Sequence, residues 1–365
     1  MSVINEQGED DPQDLTGSAS SAARADFPFR ILSLSGGGYR GLFTARILAD
    51  LEECIGAPIA TRFDLIAGTS IGGILALALA LRVPAQRMVA LFKEHGDQIF
   101  KKRRSFLGYL RSPYTQASLA ALLESDTLFG QRTVGACAHR VIVPAINHTT
   151  GRPVLFKTPH HPDFSADHKH RLVDVALATS AAPGFFPRHS FNNCQYVDGG
   201  LFANAPGLLA LHEAEHFLGQ QRSSIHVMAI GTMSAKFTVD PHRNRDGGAL
   251  DWGGWKPANM PKRLFGVSIS AQETLVHHLL GHAIAPGQYH HIDEDLTDER
   301  ARAVALDKTD RTAQEILLGS AAECAKRALG SASIQAMLDR LTPQPIFYHG
   351  ENANPAQGAR HVEVA

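Results

Sequence analysis

The feature that most constrains this chain is a strand-turn-helix unit that occurs twice near its start. Phe29 to Ser35 (FRILSLS) is a short continuous apolar run, Gly36 to Gly41 a glycine-dense turn, and Leu42 to Glu53 spaces Leu42, Ala45, Ile47, Leu48 and Leu51 along a helix. Phe63 to Ala67 (FDLIA) then repeats the apolar run, Gly68 to Gly73 the turn, and Ile74 to Leu81 the helix. A strand without polar alternation is buried on both faces, as in a parallel sheet between helix layers. Two such units in succession predict an α/β fold with a mainly parallel central sheet flanked by helices. Further strands are expected at Arg140 to Ile146, Val154 to Lys157 and Ile225 to Gly231, with helices near 86–100, 172–180, 205–217, 262–282 and 311–341.

Composition removes several classes of function. With 365 residues, 44% hydrophobic and 19% charged, the chain can bury a large core. Its formal net charge of −1 gives no long-range attraction to nucleic acid or to an anionic membrane. The longest apolar run, Ile71 to Leu81, is about half the ~20 residues that span a bilayer, so any contact with lipid is peripheral. Cys54, Cys137, Cys194 and Cys324 are widely spaced without a CxxC pair and read as reduced thiols. Acids stand where a secretory signal would be basic and apolar, and a cytoplasmic location is expected. Residues 1–26 are polar and aperiodic and read as a disordered tail. Pro241 to Pro261, rich in Gly, Asp, Asn and Trp, reads as a long loop, either a lid or ligand loop or an irregular connection.

Three glycine-bearing turns carry the chemistry. Gly68-Thr69-Ser70-Ile71-Gly72 spells GxSxG between the second strand and its helix. A serine on so sharp a turn needs glycine two residues to either side, where side chains would collide, and the helix N-terminus that follows favours developing negative charge. Ser70 is therefore the candidate nucleophile. Gly36-Gly37-Gly38-Tyr39-Arg40-Gly41 has two readings. As GxGxxG it spells a dinucleotide loop, although GTSIGG stands near where the acidic residue of such a loop is wanted. As consecutive glycines with inward amides it would form an oxyanion hole, worth about 3–4 kcal/mol per donor. A serine hydroxyl also needs a base. None of the nineteen histidines has a recognisable catalytic setting, whereas Asp198-Gly199-Gly200, in YVDGGLFANAP, puts a carboxylate on a glycine turn. Alone, DGG is an ordinary turn.

The ordered trio GGGxRG, GTSxGG and DGG, each at a strand end, resembles the patatin-like phospholipase family. The likeness runs from about Phe29 to Ala210 and includes ATSAAPGFFP (Ala178 to Pro187) and the NAP after the DGG turn. It implies the family's three-layer fold and a Ser–Asp dyad: Ser70 as nucleophile, Asp198 as proton acceptor, and Gly36, Gly37, Gly38 and Arg40 as the oxyanion-hole segment. Gly41, Gly68, Gly72, Gly199 and Gly200 are the motif glycines, with DGG standing where the family often has DGA. The resemblance implies hydrolysis of phospholipid acyl esters without metal or cofactor, and a raised pKa for a partly buried Asp198.

It also divides the chain into a 27–215 catalytic core, a 216–345 part that completes the fold and is the candidate lid or regulatory ligand region, and a 346–365 tail. The size of the region beyond 215 resembles bacterial patatin-like effectors of cyclic-oligonucleotide antiviral defence (CBASS). That likeness implies a cyclic dinucleotide activator such as cGAMP, a phospholipid substrate at the inner membrane face and no nucleic-acid partner, with oligomerisation left open. The alternatives are a constitutive soluble esterase or thioesterase, a dinucleotide-binding module built on Gly36–Gly41, and a scaffold that has lost catalysis.

Weaker signals remain. Lys101 to Arg104 is either a phosphate-holding patch or a solvated face, and Phe185 and Phe186 either line an acyl channel or pack in the core. His277, His278 and His282 offer an i, i+4 pair without the glutamate of HExxH, and no metal is expected. His160-His161 and His168 to His170 read as surface loop.

Overall fold

The computed structural model describes residues 27–103, 112–233, 252, 260–296 and 298–354. The tail at 1–26, Arg104, most of 241–261 and the residues after 354 lie outside these. The strands are β1 (Phe29–Leu34), β2 (Leu65–Gly68), β3 (Val141–Asn147), β4 (Arg152–Lys157), β5 (His189–Phe191), β6 (Cys194–Asp198), β7 (Ile225–Ile230) and β8 (Tyr289–Ile292). They form one sheet in the order β5-β6-β3-β2-β1-β7-β8, with β4 paired to β3 off that path. β3, β2, β1, β7 and β8 run parallel, and β4, β5 and β6 supply the antiparallel pairs.

The continuous apolar reading of β1 has a direct cause. Leu32 and Leu34 pack into one core with α1 (Gly41–Ile55), α2 (Ile71–Ala80), α3 (Ala85–Ile99) and α5 (Leu172–Thr179). Phe29 and Ile31 face the opposite core, beneath α7 (Gly207–His216) and α8 (Met260–Ala283). Both faces are covered, so period-2 polarity is absent. The remaining helices are α4 (Ala117–Leu123), α6 (Gly200–Ala203), α9 (Asp298–Ala303), α10 (Arg311–Leu329) and α11 (Ala332–Asp339). The single helix expected at 311–341 is in fact two, parted at Gly330-Ser331, where weak helix formers meet. No helix among the described residues is long and apolar enough to cross a membrane.

One detail of the sheet positions the site. β3 gives one edge to β4 along its length, while its other edge pairs first with β2 (Ala67 opposite Ile142) and then with β6 (Ala145 opposite Asp198). β6 is antiparallel to β3, so β2 and β6 approach head to head along one edge. Their facing ends are separated by about 10 Å of strand, and into that gap turn Ser70 from one side and Asp198 from the other.

Candidate active site

β2 ends at Gly68 and α2 begins at Ile71, so Ser70 must reverse the chain within two residues. It does so with φ +55° and ψ −124°, a conformation that L-residues adopt only when their surroundings enforce it. The enforcement comes from Gly68 and Gly72. A Cβ on Gly68 would lie 2.1 Å from the Gly72 carbonyl oxygen, and one on Gly72 2.3 Å from that of Leu34. The Ser70 amide donates to Thr179 Oγ1 at 2.9 Å, whose hydroxyl donates to the Pro144 carbonyl at 2.7 Å, tying the turn to β3.

Ser70 Oγ donates to Asp198 Oδ2 at 2.7 Å. The other carboxylate oxygen accepts the Gly200 amide, also at 2.7 Å, so the DGG turn aims the carboxylate. A Cβ on Gly199 would meet the Pro144 carbonyl oxygen at 2.3 Å, which keeps that position against β3. Asp198 is 1% exposed. Burial pushes its pKa up to about 7, while the Gly200 N–H and Ser70 O–H hold it from going higher. A carboxylate poised near neutrality can take and return a proton at physiological pH.

The first glycine turn closes over the pair. Of its expected donors, Gly36 gives its amide to the Asn204 carbonyl at 3.1 Å and Arg40 gives its own to the Gly37 carbonyl at 3.2 Å. The Arg40 guanidinium runs into the protein and donates to the Met233 carbonyl at 2.8 Å. These two residues stand behind the turn. Gly37 and Gly38 line the cleft with Ser70, and among the described residues their amides meet no acceptor. Gly41 abuts Ile71 and Phe92 beneath the turn.

Three residues that sequence reasoning gave no role hold this loop. Asn204 Nδ2 donates to the Gly36 carbonyl at 3.1 Å and to Glu273 Oε1 at 2.7 Å, and Thr232 Oγ1 donates to the same Gly36 carbonyl at 3.0 Å. Asn204 belongs to the quoted NAP and Thr179 to ATSAAPGFFP. Glu273 carries no local signal, since its partner lies 69 residues away on another element.

From Ser70 a cleft runs between Ile71, Ile74, Phe92, Ile99, Phe100, Leu119, Phe185, Phe186, Phe265, Ile269 and Leu306. Apart from Ser70, Asp198, the glycine amides, Ser180 and Asn204 its wall is overwhelmingly hydrocarbon, surroundings suited to a fatty acyl chain. Phe185 and Phe186 both lie on it. Lys101, Lys102 and Arg103 are exposed just beyond α3. At the rim Lys262 pairs with Asp307 at 3.1 Å and lies 4.3 Å from the centre of the Phe185 ring.

The histidines stand elsewhere. His277 hydrogen-bonds Tyr289 and stacks on His291, His278 packs on His282, and no metal-binding group of three ligands occurs among the described residues. His160 is not surface loop: it is 3% exposed, bonded to Thr158 and to Glu213. Phe164 packs on it from four residues away, but Glu213 of α7 lies 53 residues on, too distant to be read from HHP.

The patatin-like phospholipase family profile matches residues 32–211, from within β1 to the middle of α7. A cGAMP-activated phospholipase of Pseudomonas aeruginosa is 44% identical over 91% of this chain and 98% of its own length. Proteins of the same description from Escherichia coli and Vibrio cholerae are 34% and 33% identical, over 79% and 76% of this chain and 86% and 85% of theirs. On the profile match and the near full-length likeness together, this chain belongs to the patatin-like phospholipase family of hydrolases.

Proposed function

We propose that this chain hydrolyses fatty-acyl esters of membrane phospholipids through a Ser70–Asp198 dyad, and that a cyclic dinucleotide of the cGAMP kind switches it on. The reading is carried by a serine hydroxyl 2.7 Å from a buried carboxylate at the end of a hydrocarbon-lined cleft. Asp198 Oδ2 takes the Ser70 proton as Oγ bonds to the acyl carbonyl carbon. The amides of Gly37 and Gly38 hold the oxyanion, and Asp198 returns the proton to the departing lysophospholipid oxygen. Water then attacks the acyl-serine, giving its proton to Asp198 and on to Ser70 Oγ as the fatty acid leaves. Activation rests on the near full-length likeness to proteins that bear that description.

Fatty-acid release from phospholipid vesicles, by wild type and Ser70→Ala, with and without a panel of cyclic dinucleotides, tests both halves. Nucleotide-dependent release by wild type alone is expected. Equal release by both proteins removes Ser70, and nucleotide-independent release by wild type removes the activator.

A further inference from the structure

A second cleft opens at the opposite end of the sheet from Ser70. β1 and β2 run parallel, so the strands that end at the first glycine turn and at Ser70 begin beside Arg30 and Asp64. Between those beginnings and the starts of β3, β7 and β8 lies a cleft of about 940 Å³, open to solvent. Its lining includes Asp64, Arg140, Arg340, Gln221, His226 and Gln288. Its volume lies at the upper end of the ~300–1000 Å³ of ordinary small-ligand pockets, and unlike the cleft at Ser70 it is polar.

Its charge is unbalanced. Arg30, Arg140 and Arg340 all act on one carboxylate, Asp64, whose Oδ2 also accepts the Arg30 amide at 2.9 Å. Arg30, immediately behind the wall, donates through Nη1 to the carbonyls of Met337 and Arg340 at the end of α11. Even so, Nε and Nη2 of Arg30, Nε of Arg140 and Nη1 of Arg340 find no acceptor among the described residues. Buried cationic donors left unpaired cost free energy that an anion would recover. Guanidinium is also the cation that grips phosphate through paired N–H bonds. Beside the arginines, Gln288 donates to the Ser223 carbonyl at 2.7 Å, its Nε2 lies 3.2 Å from His226 Nε2, and its Oε1 has no donor among the described residues. An amide and an imidazole next to guanidiniums can read a base edge while the phosphate is held.

We propose that this cleft binds a phosphodiester anion of dinucleotide size, with Arg140 and Arg340 on its phosphates and Gln288 and His226 on a base. The lining sets two guanidiniums against one carboxylate, with Arg30 behind them, an excess of positive charge that a phosphodiester neutralises. The inference rests on the reading that such a nucleotide activates the chain. It adds where the ligand sits, on strands that lead to the catalytic turns.

The test is calorimetric titration of the full chain with 3′,3′-cGAMP, beside Arg340→Gln, Arg340→Lys and Gln221→Cys. Arg340→Gln is expected to weaken binding at least about tenfold, with Arg340→Lys recovering part of it, and cGAMP is expected to shield the thiol of Gln221→Cys from maleimide. Wild-type affinity in Arg340→Gln without shielding overturns the site and leaves activation standing. Absence of binding by the unaltered chain to any cyclic dinucleotide removes both. Displacement of cGAMP by an equal concentration of inorganic phosphate overturns the nucleotide assignment. Gln221 is exposed, so if Arg340→Gln fails to fold, shielding decides alone.

Discussion

Asp198 is a carboxylate that burial has made reluctant to ionise, and two opposite pH effects follow. The proposed mechanism needs the anion, so turnover is expected to rise with pH through about 7 and at pH 6 to be about tenfold below its alkaline plateau. Stability moves the other way. The folded pKa lies above the unfolded value of 3.8, so between the two the native state binds more protons and is destabilised as pH rises. Asp198→Asn should therefore abolish turnover yet unfold later than wild type, by about 2–4 kcal/mol at pH 8, with the gap closing toward pH 4. Denaturant titration at several pH values reads this directly, and a variant less stable than wild type at pH 8 would refute it. Ser70 and Asp198 were legible because each carries glycines for steric reasons that leave a spelling. Thr179, Asn204, Thr232 and Glu273 were not, because a hydrogen bond across distant elements leaves none.

At the level of elements, one buried ionic group joins β4 to α7. Glu213 is fully buried; burial alone would raise its pKa, but hydrogen bonds from His160 and Lys157 outweigh this and hold it below the usual range. Lys157 Nζ lies 2.6 Å from the carboxylate and over the rings of Phe164 and Phe217. Burial in turn drives His160 down to about 4, so it stays neutral and the lysine supplies the charge. Glu213→Gln strands Lys157 and is expected to cost about 3 kcal/mol of stability, measured by denaturant unfolding, with no requirement that the dyad change. Elements buried on both faces, such as β1, β2, β3 and β7, were readable as apolar runs. The edge strand β8 (YHHI), the short β5 (HSF) and the 7- and 6-residue helices α4 and α9 are too short or too polar for periodicity to register.

For the whole molecule, β1 lies between β2 and β7, the first near in sequence and the second nearly 200 residues on. The family profile ends at residue 211, but the sheet does not. A chain ending at residue 215 would bare a full edge of β1, leave its Phe29–Ile31 face covered by α7 alone, and lose Thr232 and Glu273 from behind the Gly36 turn. It is expected to aggregate and to resist a serine-directed fluorophosphonate that labels the full chain. Soluble, labelled protein would show that the core is self-sufficient.

The head-to-head meeting of β2 and β6 bears on how such a chain is made. Ser70 leaves the ribosome long before Asp198, the strand that pairs with both their strands lies between them, and β7, which pairs with β1, comes later still. A constellation whose parts are spread so widely cannot assemble before Asp198 has emerged, so a shorter nascent chain carries the serine without its carboxylate.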